Sequence, residues 1–347
     1  MTNELFRSGG PLNVQKVGRD EYQMSVKIPA GEDGRTAREC PDENCSPGYF
    51  KVKSGTGIVG GQIEAFCPYC RHKAEPNKFV TKEQVRFARD HAIQEAKNGV
   101  ERMIKNALGL GSSNSRTMGR GGFISMEMSY KPSSRPPIRR PAEDSVRRDV
   151  VCPHCGLDHS VYGLAVWCAD CGTDIFLIHV DKELAVVEAM LGDVARRHEV
   201  LGDRVAGKDL ENCLEDIVSI FEAVLKIIAR RALAARGVAT EEIERVLQVF
   251  GSGFQSITRT ADFLSANLSL SCIPGLSPAE AGGLRDIFEK RHPITHNLGV
   301  VDRKYLKRVS SGGQEGREVT VTPQEVTQAI SLARRVFKET MASLPGP

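Results

Sequence analysis

No stretch of this 347-residue sequence comes near the roughly 20 consecutive apolar residues of a membrane-spanning helix, which excludes a helical membrane protein. Residues 1–7 also lack the charged-then-apolar order of a secretory signal, so we expect a cytoplasmic protein with reduced thiols. The net charge is small, at +3. A charge of this size does not by itself indicate a protein that binds nucleic acid.

The positive charge is concentrated in the middle of the chain. Residues 81–150 hold fourteen Lys and Arg against eight Asp and Glu, whereas the rest of the chain holds 33 against 36. Within this part, residues 111–148 are rich in Gly, Ser, Pro and Arg and have few side chains that could fill a core. We therefore predict a flexible basic linker, with a nucleic-acid contact arm as the alternative.

Cysteine is plentiful, with ten residues, and eight of them form four close pairs. In a reducing compartment such pairs favour metal binding over disulfides. A structural zinc ion takes four ligands in a tetrahedron, and two cysteines on one tight turn supply two adjacent corners. We predict two structural Zn²⁺ ions. The ligands of the first are Cys40, Cys45, Cys67 and Cys70, and those of the second are Cys152, Cys155, Cys168 and Cys171.

The second set has the regular spacing, with two residues between the cysteines of each pair, whereas four residues separate Cys40 from Cys45. Each site is already complete with four thiols, so we expect a folding role and no open position for catalysis. We also expect Cys213 and Cys272 to be small buried residues. Three histidines near the ligands are expected to be ordinary surface residues: His72, His154 and His159.

Hydrophobic periodicity predicts the local structure of the first half. Apolar and polar residues alternate from Tyr22 to Ile28, which is typical of a half-buried strand, and Tyr49–Lys53 is a second candidate. The apolar run of residues 175–178 predicts a strand at the end of the second ribbon. Thr81 and Gln84 form a capping box, which predicts a helix from there to about residue 108.

The sequence after residue 180 has helical periodicity throughout. A long apolar stripe indicates a central helix that ends before Gly237. Ser277 and Thr322 are each followed by a proline and, three residues on, by a glutamate, which predicts two further helix starts. The stripe consists of Leu210, Leu214, Ile217, Phe221, Val224, Leu225, Ile228 and Ala232.

These patterns predict a multidomain protein, with two small β zinc ribbons and a C-terminal all-α helical bundle. The predicted parts are zinc ribbon 1 at 1–80, a connecting helix at 81–110, the basic flexible linker at 111–148, zinc ribbon 2 at 149–180 and the helical domain at 181–347.

The run Arg291-His292-Pro293-Ile294-Thr295-His296-Asn297 resembles the motif of the HEPN family. That motif is an arginine followed by a polar residue, with a histidine after four to six intervening positions, in an all-α bundle. The matching positions are Arg291, His292 and His296, although asparagine is more usual than His292. Asn297, Gly299 and residues 302–306 are also similar to the family.

The resemblance covers about residues 181–345. It implies a metal-independent endoribonuclease that acts as a homodimer, of the kind found in antiviral defence and toxin–antitoxin systems. Arg291, His292 and His296 would be catalytic: histidine moves protons near neutral pH, and arginine stabilises the phosphate in the transition state. The 2′-hydroxyl would attack the neighbouring phosphate and leave a cyclic phosphate. The ribbons would recruit RNA or a protein partner such as an antitoxin.

Helix geometry restricts this site. Residues five apart point about 140° away from each other on an ideal helix, and Pro293 cannot continue a helix without a kink. Arg291 and His296 therefore converge only through a kink or across a dimer axis.

Two other functions stay open at this stage. One is a non-catalytic zinc-ribbon protein that binds nucleic acid or acts as a scaffold, with a helical domain that only dimerises. The other is an adaptor whose ribbons dock to a protein.

Overall fold

The computed structural model describes residues 5–6, 9, 12–19, 21–110, 114–118, 126–131, 134–310 and 313–344. The chain forms two units. The sheet unit comprises residues 1–163 and 167–174, and the helical unit comprises residues 164–166 and 175–347. Among the described residues, no helix combines the length and the apolar character needed to cross a membrane.

Short strands and one long helix make up the sheet unit. Its helix α1 spans Lys82–Ala107, preceded by a 3-10 turn at Pro76–Lys78. The strands are β1 (Gln15–Lys16), β2 (Tyr22–Gln23), β3 (Arg35–Glu39), β4 (Tyr49–Lys53), β5 (Ala65–Phe66), β6 (Lys73–Ala74), β7 (Ser115–Met118), β8 (Met126–Ser129), β9 (Arg148–Val151) and β10 (Asp158–Val161).

The main sheet has the order β3-β4-β10-β9, and all its neighbours are antiparallel. Its central pair joins the two cysteine-containing segments, because Phe50 lies opposite Val161 and Val52 opposite His159. Phe50 is fully buried and its ring lies 6.0 Å from that of Phe79. The two predicted ribbons thus share one sheet, since each supplies an edge strand with unpaired backbone groups to the other.

The predicted strand from Tyr22 to Ile28 is formed only in its first two residues, which pair with β1. From Tyr22 to Ile28 the side chains still alternate between half-buried and exposed. Alternation determines which face a side chain occupies, but a strand also needs a neighbour along its edge.

Helix α1 begins as predicted, with both hydrogen bonds of the capping box between Thr81 and Gln84. The buried Gln84 side chain also donates to the carbonyl of Ala37, 2.8 Å away, so that the capping residue ties the helix to β3.

Part of the predicted flexible linker is held in place by hydrogen bonds. The amide of Ala142 donates to Glu83 of α1, and Glu143 accepts from the amide of Ala37 at 3.2 Å. The predicted linker also contains the pair β7 and β8 and several residues outside the described ones. Its domain boundaries remain a prediction.

The helical unit contains α2 (Phe176–Leu201), α3 (Asp203–Ala235), α4 (Thr240–Phe250), α5 (Ile257–Leu268), α6 (Pro278–Glu289), α7 (Arg291–Asn297), α8 (Arg303–Leu306) and α9 (Pro323–Ala342). Every residue of the predicted apolar stripe is buried on α3. Phe221 of α3 lies 5.2 Å from the ring of Phe288 and 5.5 Å from that of Phe337. These three rings join α3, α6 and α9 in one core, and both predicted capping boxes are present.

The predicted strand at residues 175–178 is wrong. This run opens α2 instead, and Phe176, Val180 and Leu184 are buried at the spacing of one helix face. A short apolar run does not distinguish a strand from a buried helix turn, and here the continuation of the helical pattern decides.

Candidate metal centres and a cationic cleft

The first cysteine group has the geometry of a tetrahedral metal site. Its sulfur atoms all lie within 4.8 Å of one another, with 3.7 Å between Cys40 and Cys70 and 3.6 Å between Cys45 and Cys67. Four sulfurs about 2.3 Å from a zinc ion lie about 3.8 Å apart, whereas a disulfide needs about 2.05 Å. The spacing therefore fits zinc and excludes disulfides between these pairs.

The second group repeats this arrangement. Its sulfurs lie 3.7 Å apart between Cys152 and Cys171 and 3.5 Å apart between Cys155 and Cys168. Among the described residues, these two groups are the candidate metal sites, and each consists of thiols without a histidine. His159 is buried on β10, contrary to its predicted surface position. Cys213 is buried as expected, but Cys272 is exposed.

Tight turns hold three of the four cysteine pairs. The residue after the second cysteine has a positive φ in each: Arg71 at 65°, Gly156 at 78° and Gly172 at 66°. The amide of this residue donates to the carbonyl of the first cysteine of its pair, at 2.9–3.1 Å. This conformation turns both sulfurs to the same side. The wider pair of Cys40 and Cys45 lacks the spacing for such a turn.

Some of the thiols need a cation to become ligands, although hydrogen bonds lower the pKa of Cys70 to about 5. Burial raises the pKa of Cys45 to about 12 and that of Cys155 to about 11, so these groups would remain protonated on their own. A bound dication reverses this preference because it stabilises thiolates directly. The all-sulfur donor sets, each with two buried cysteines, therefore fit structural zinc.

Asp170 lies between two ligands of the second site. Its side chain also binds the loop that connects the two cysteine pairs of the first site. Its carboxylate is 4% exposed and accepts from the amide of Ile58 at 3.1 Å and from the side chain of Gln62 at 3.0 Å. It lies 3.5 Å from the guanidinium of Arg38. Gly57, with φ +77°, leaves the space for this carboxylate, since a Cβ there would lie 2.2 Å from it.

Backbone hydrogen bonds join the two centres directly. The amide of Phe66 donates to Ala169 at 2.9 Å, and that of Trp167 donates to Pro68 at 3.1 Å. The Arg71 guanidinium lies 4.2 Å from the centre of the Trp167 ring. The cysteine turns at residues 67–70 and 168–171 are therefore parts of one structure.

In the helical unit, the helix breaks at Lys290, before the motif, and not at Pro293 between Arg291 and His296 as the predicted kink required. Helix α6 ends at Glu289 and α7 begins at Arg291, because Pro293 has no amide hydrogen to donate to Glu289. The break places Arg291 and His292 in the first turn of α7.

His292 and His296 lie on the same side of α7, with 5.1 Å between their ring centres. Burial and the positive charges of Lys304, Arg308 and His296 lower the pKa of His292 below its ordinary value of 6.5. Neutral imidazole is therefore favoured at His292 near pH 7. The Nε atom of Arg291 is buried without a hydrogen-bond partner in the described part of the chain.

Arg291 and His292 line an open cleft of about 520 Å³. Its walls carry five Lys and Arg side chains and one carboxylate, that of Glu289. His296 is exposed and does not line this cleft. Sequence reasoning missed four of the cations, which come from three separate segments and share no local motif: Arg259, Arg285, Lys307 and Arg308.

A second arginine–histidine spacing, Arg86 to His91 on α1, lacks these features. Arg86 is bound by Glu83 at 2.8 Å and Asp90 at 3.1 Å, and the ring of His91 lies 4.5 Å from that of Phe87. These side chains serve the structure of α1.

No protein-family model, curated protein or solved structure matches this chain. Its function is therefore argued from the two metal centres and the cationic cleft.

We expect the purified protein to contain two zinc ions per chain, because each of the two thiol groups is a complete ligand set. Cys168→Ala should lose at least one ion, whereas Cys272→Ala, outside both groups, should keep both. Metal analysis by mass spectrometry checks this. Recovery of a metal-free, folded protein would contradict it.

Replacement of Asp170 by alanine should destabilise the sheet unit by about 3 kcal/mol, because it leaves the guanidinium of Arg38, whose side chain is only 19% exposed, without its carboxylate. Glu64→Ala is the control, since its pair with Lys73 is half exposed and is worth about 1 kcal/mol or less. Trp167, the single tryptophan of the chain, reports unfolding of this unit by fluorescence. Equal midpoints in denaturant for the two variants would refute the role of Asp170.

Proposed function

We propose that the cleft of the helical unit cleaves single-stranded RNA without a metal ion. The catalytic residues are Arg291 and His292, which line the cleft, and the neighbouring His296. The observation that carries this proposal is that Arg291 and His292 line a cleft with five cations and one carboxylate, while the ring of His296, outside the lining, lies 5.1 Å from that of His292. Such a site combines proton transfer near neutral pH with attraction for a phosphodiester.

Each residue has a role that fits its surroundings. His292, whose pKa is lowered by burial and by its cationic neighbours, takes the proton of the ribose 2′-hydroxyl. The 2′-oxygen forms a bond to phosphorus while the bond to the 5′-oxygen breaks, and His296 gives this oxygen a proton. Arg291 stabilises the extra negative charge on the phosphate oxygens in the transition state. The products are a 2′,3′-cyclic phosphate and a 5′-hydroxyl.

A homodimer is part of the proposal. Leu298 follows the motif in a left-handed conformation and is 86% exposed, and Val300 is 39% exposed. Apolar side chains this close to His296 suit a contact with a second copy of the helical unit. The two zinc sites would then stabilise a separate unit that recruits RNA or a protein partner, as in a defence or toxin effector.

Alanine substitution tests the chemistry. His292→Ala and His296→Ala should each lower RNA cleavage by about 10²–10⁴-fold through loss of proton transfer. Arg291→Ala should lower it by about 10²–10³-fold through loss of charge stabilisation. Cleavage is measured on labelled RNA with brief EDTA treatment, and the product ends are analysed for the cyclic phosphate.

The matched controls are His198→Ala and Arg245→Ala, which remove exposed side chains of the same kinds from the helical unit. They should cleave like the wild type. A folded, zinc-loaded wild type that leaves RNA intact would end the enzymatic proposal, as would cleavage by the three motif variants at the wild-type rate.

The pH dependence follows from the lowered pKa of His292. A general base acts in its neutral form, so the rising, acidic limb of the kcat/KM profile should have its midpoint below pH 6.5. Lys304→Gln removes a nearby positive charge, which raises the pKa of His292 and moves this midpoint to higher pH. Lys338→Gln, on the exposed side of α9, should leave the profile unchanged. A midpoint that Lys304→Gln does not move would argue against His292 as the base.

A further inference from the structure

We propose that the cleft binds a second phosphate of the RNA strand, next to the scissile one, through Arg259 and Lys307. This inference rests on the proposed function, because it takes Arg291 and His292 as the place of the scissile phosphate. The ligand of the cleft is then an RNA strand with at least two consecutive phosphates.

The balance of charge in the cleft is the first argument. Arg308 donates to Glu289 at 3.2 Å, and Arg285 donates to Asp286 at 3.2 Å. Among the described residues, no carboxylate pairs with the three remaining cations of the cleft: Arg259, Arg291 and Lys307. A single phosphodiester carries one negative charge. Arg291 alone can match it, which leaves the charges of Arg259 and Lys307 for a further anion.

Arg259 is held where it can bind such an anion. Its guanidinium lies 5.1 Å from the centre of the Phe250 ring and donates one hydrogen bond, of 3.1 Å, to the Phe250 carbonyl. The remaining donors of its planar group stay available, and this arrangement reduces the entropy lost on binding a phosphate. Ser256 and Thr258, also on the wall of the cleft, add hydroxyl groups beside it.

Lys307 provides a compact charge on another wall. It directly follows α8 and precedes Arg308, whose own charge is balanced by Glu289. Lys307 is exposed, so its flexible side chain can move with a bound RNA strand. It contributes electrostatic attraction for a phosphate and does not fix the position of that phosphate.

The size of the cleft is the second argument. A volume of about 520 Å³ lies within the range of about 300–1,000 Å³ that holds ligands of many atoms, and is much larger than one phosphate group needs. The cleft is open, as a continuous strand requires, and so it suits an internal stretch of RNA.

Binding of short 2′-O-methyl RNAs tests the inference, because these strands cannot be cleaved. Competition against a labelled ten-nucleotide strand should show that a trinucleotide, with two phosphates, binds at least about tenfold more tightly than a dinucleotide. A trinucleotide whose second linkage is an uncharged methylphosphonate should bind like the dinucleotide. Equal affinity of all three would overturn the proposal.

Substitutions in the cleft test which residues bind the second phosphate. The double substitution Arg259→Gln with Lys307→Gln should abolish the advantage of the trinucleotide and reduce the slope of log affinity against log salt by about 0.7, the value for one phosphate of a single strand. Arg245→Gln with Lys338→Gln is the control of equal charge on exposed positions, and should change neither. An unchanged slope in the cleft variant would refute the assignment.

The same strands separate this inference from the proposed catalysis. If unmodified RNA is bound with the two-phosphate preference but is never cut, the subsite stands and the enzymatic proposal fails. If RNA is cut but the dinucleotide and trinucleotide bind equally, the catalytic proposal stands and the second phosphate site is wrong.

Discussion

The spacing of eight sulfur atoms is the constraint on which the sheet unit depends. Ionised thiolates 3.7 Å apart would repel one another by about 4 kcal/mol for each pair at an effective dielectric constant of 20. Neutral thiols would avoid this repulsion but would attract each other only weakly. A dication at the centre turns the repulsion into attraction and contributes on the order of 10 kcal/mol or more. Strands of two to five residues could not supply this amount from their own packing.

The two centres also share their supports. Asp170 comes from the ligand turn of one site and fixes the loop of the other, and β4 pairs with β10 across the two cysteine-containing segments. Because a metal ion at either centre orders residues that the other needs, the sheet unit has the physical basis for cooperative folding. Two separate ribbons were predicted because the sequence shows each group of four cysteines by itself and does not show the strand pairing between them.

Local patterns explain most of what the sequence could predict. The capping box at Thr81, the stripe on α3 and the four cysteine pairs each lie within a short segment, where spacing alone determines the geometry. The pairing of β4 with β10 leaves no such local pattern in the sequence, so the shared sheet could not be predicted. The error at residues 175–178 has the same origin, since four apolar residues fit a strand or a helix turn equally well.

In the candidate site of the helical unit, too, local features were predictable from the sequence and long-range contacts were not. Pro293 predicted an interruption of the helix, and the four-residue spacing of His292 and His296 explains why their rings lie close together. The other cations of the cleft come from α5, α6 and the end of α8, and only the fold brings them together.

The charge sum of a segment does not show where cations without a carboxylate partner lie. Several cations of residues 81–150 are paired with nearby carboxylates: Arg86 pairs with Glu83 and Asp90, and Glu101 pairs with both Lys105 and Arg135. The remainder of the chain has more acidic than basic residues, yet it contains the cleft where three cations lack a carboxylate partner among the described residues. Attraction for a phosphate depends on unbalanced charge at one place, which the pairing in the folded chain determines and a sum along the sequence does not.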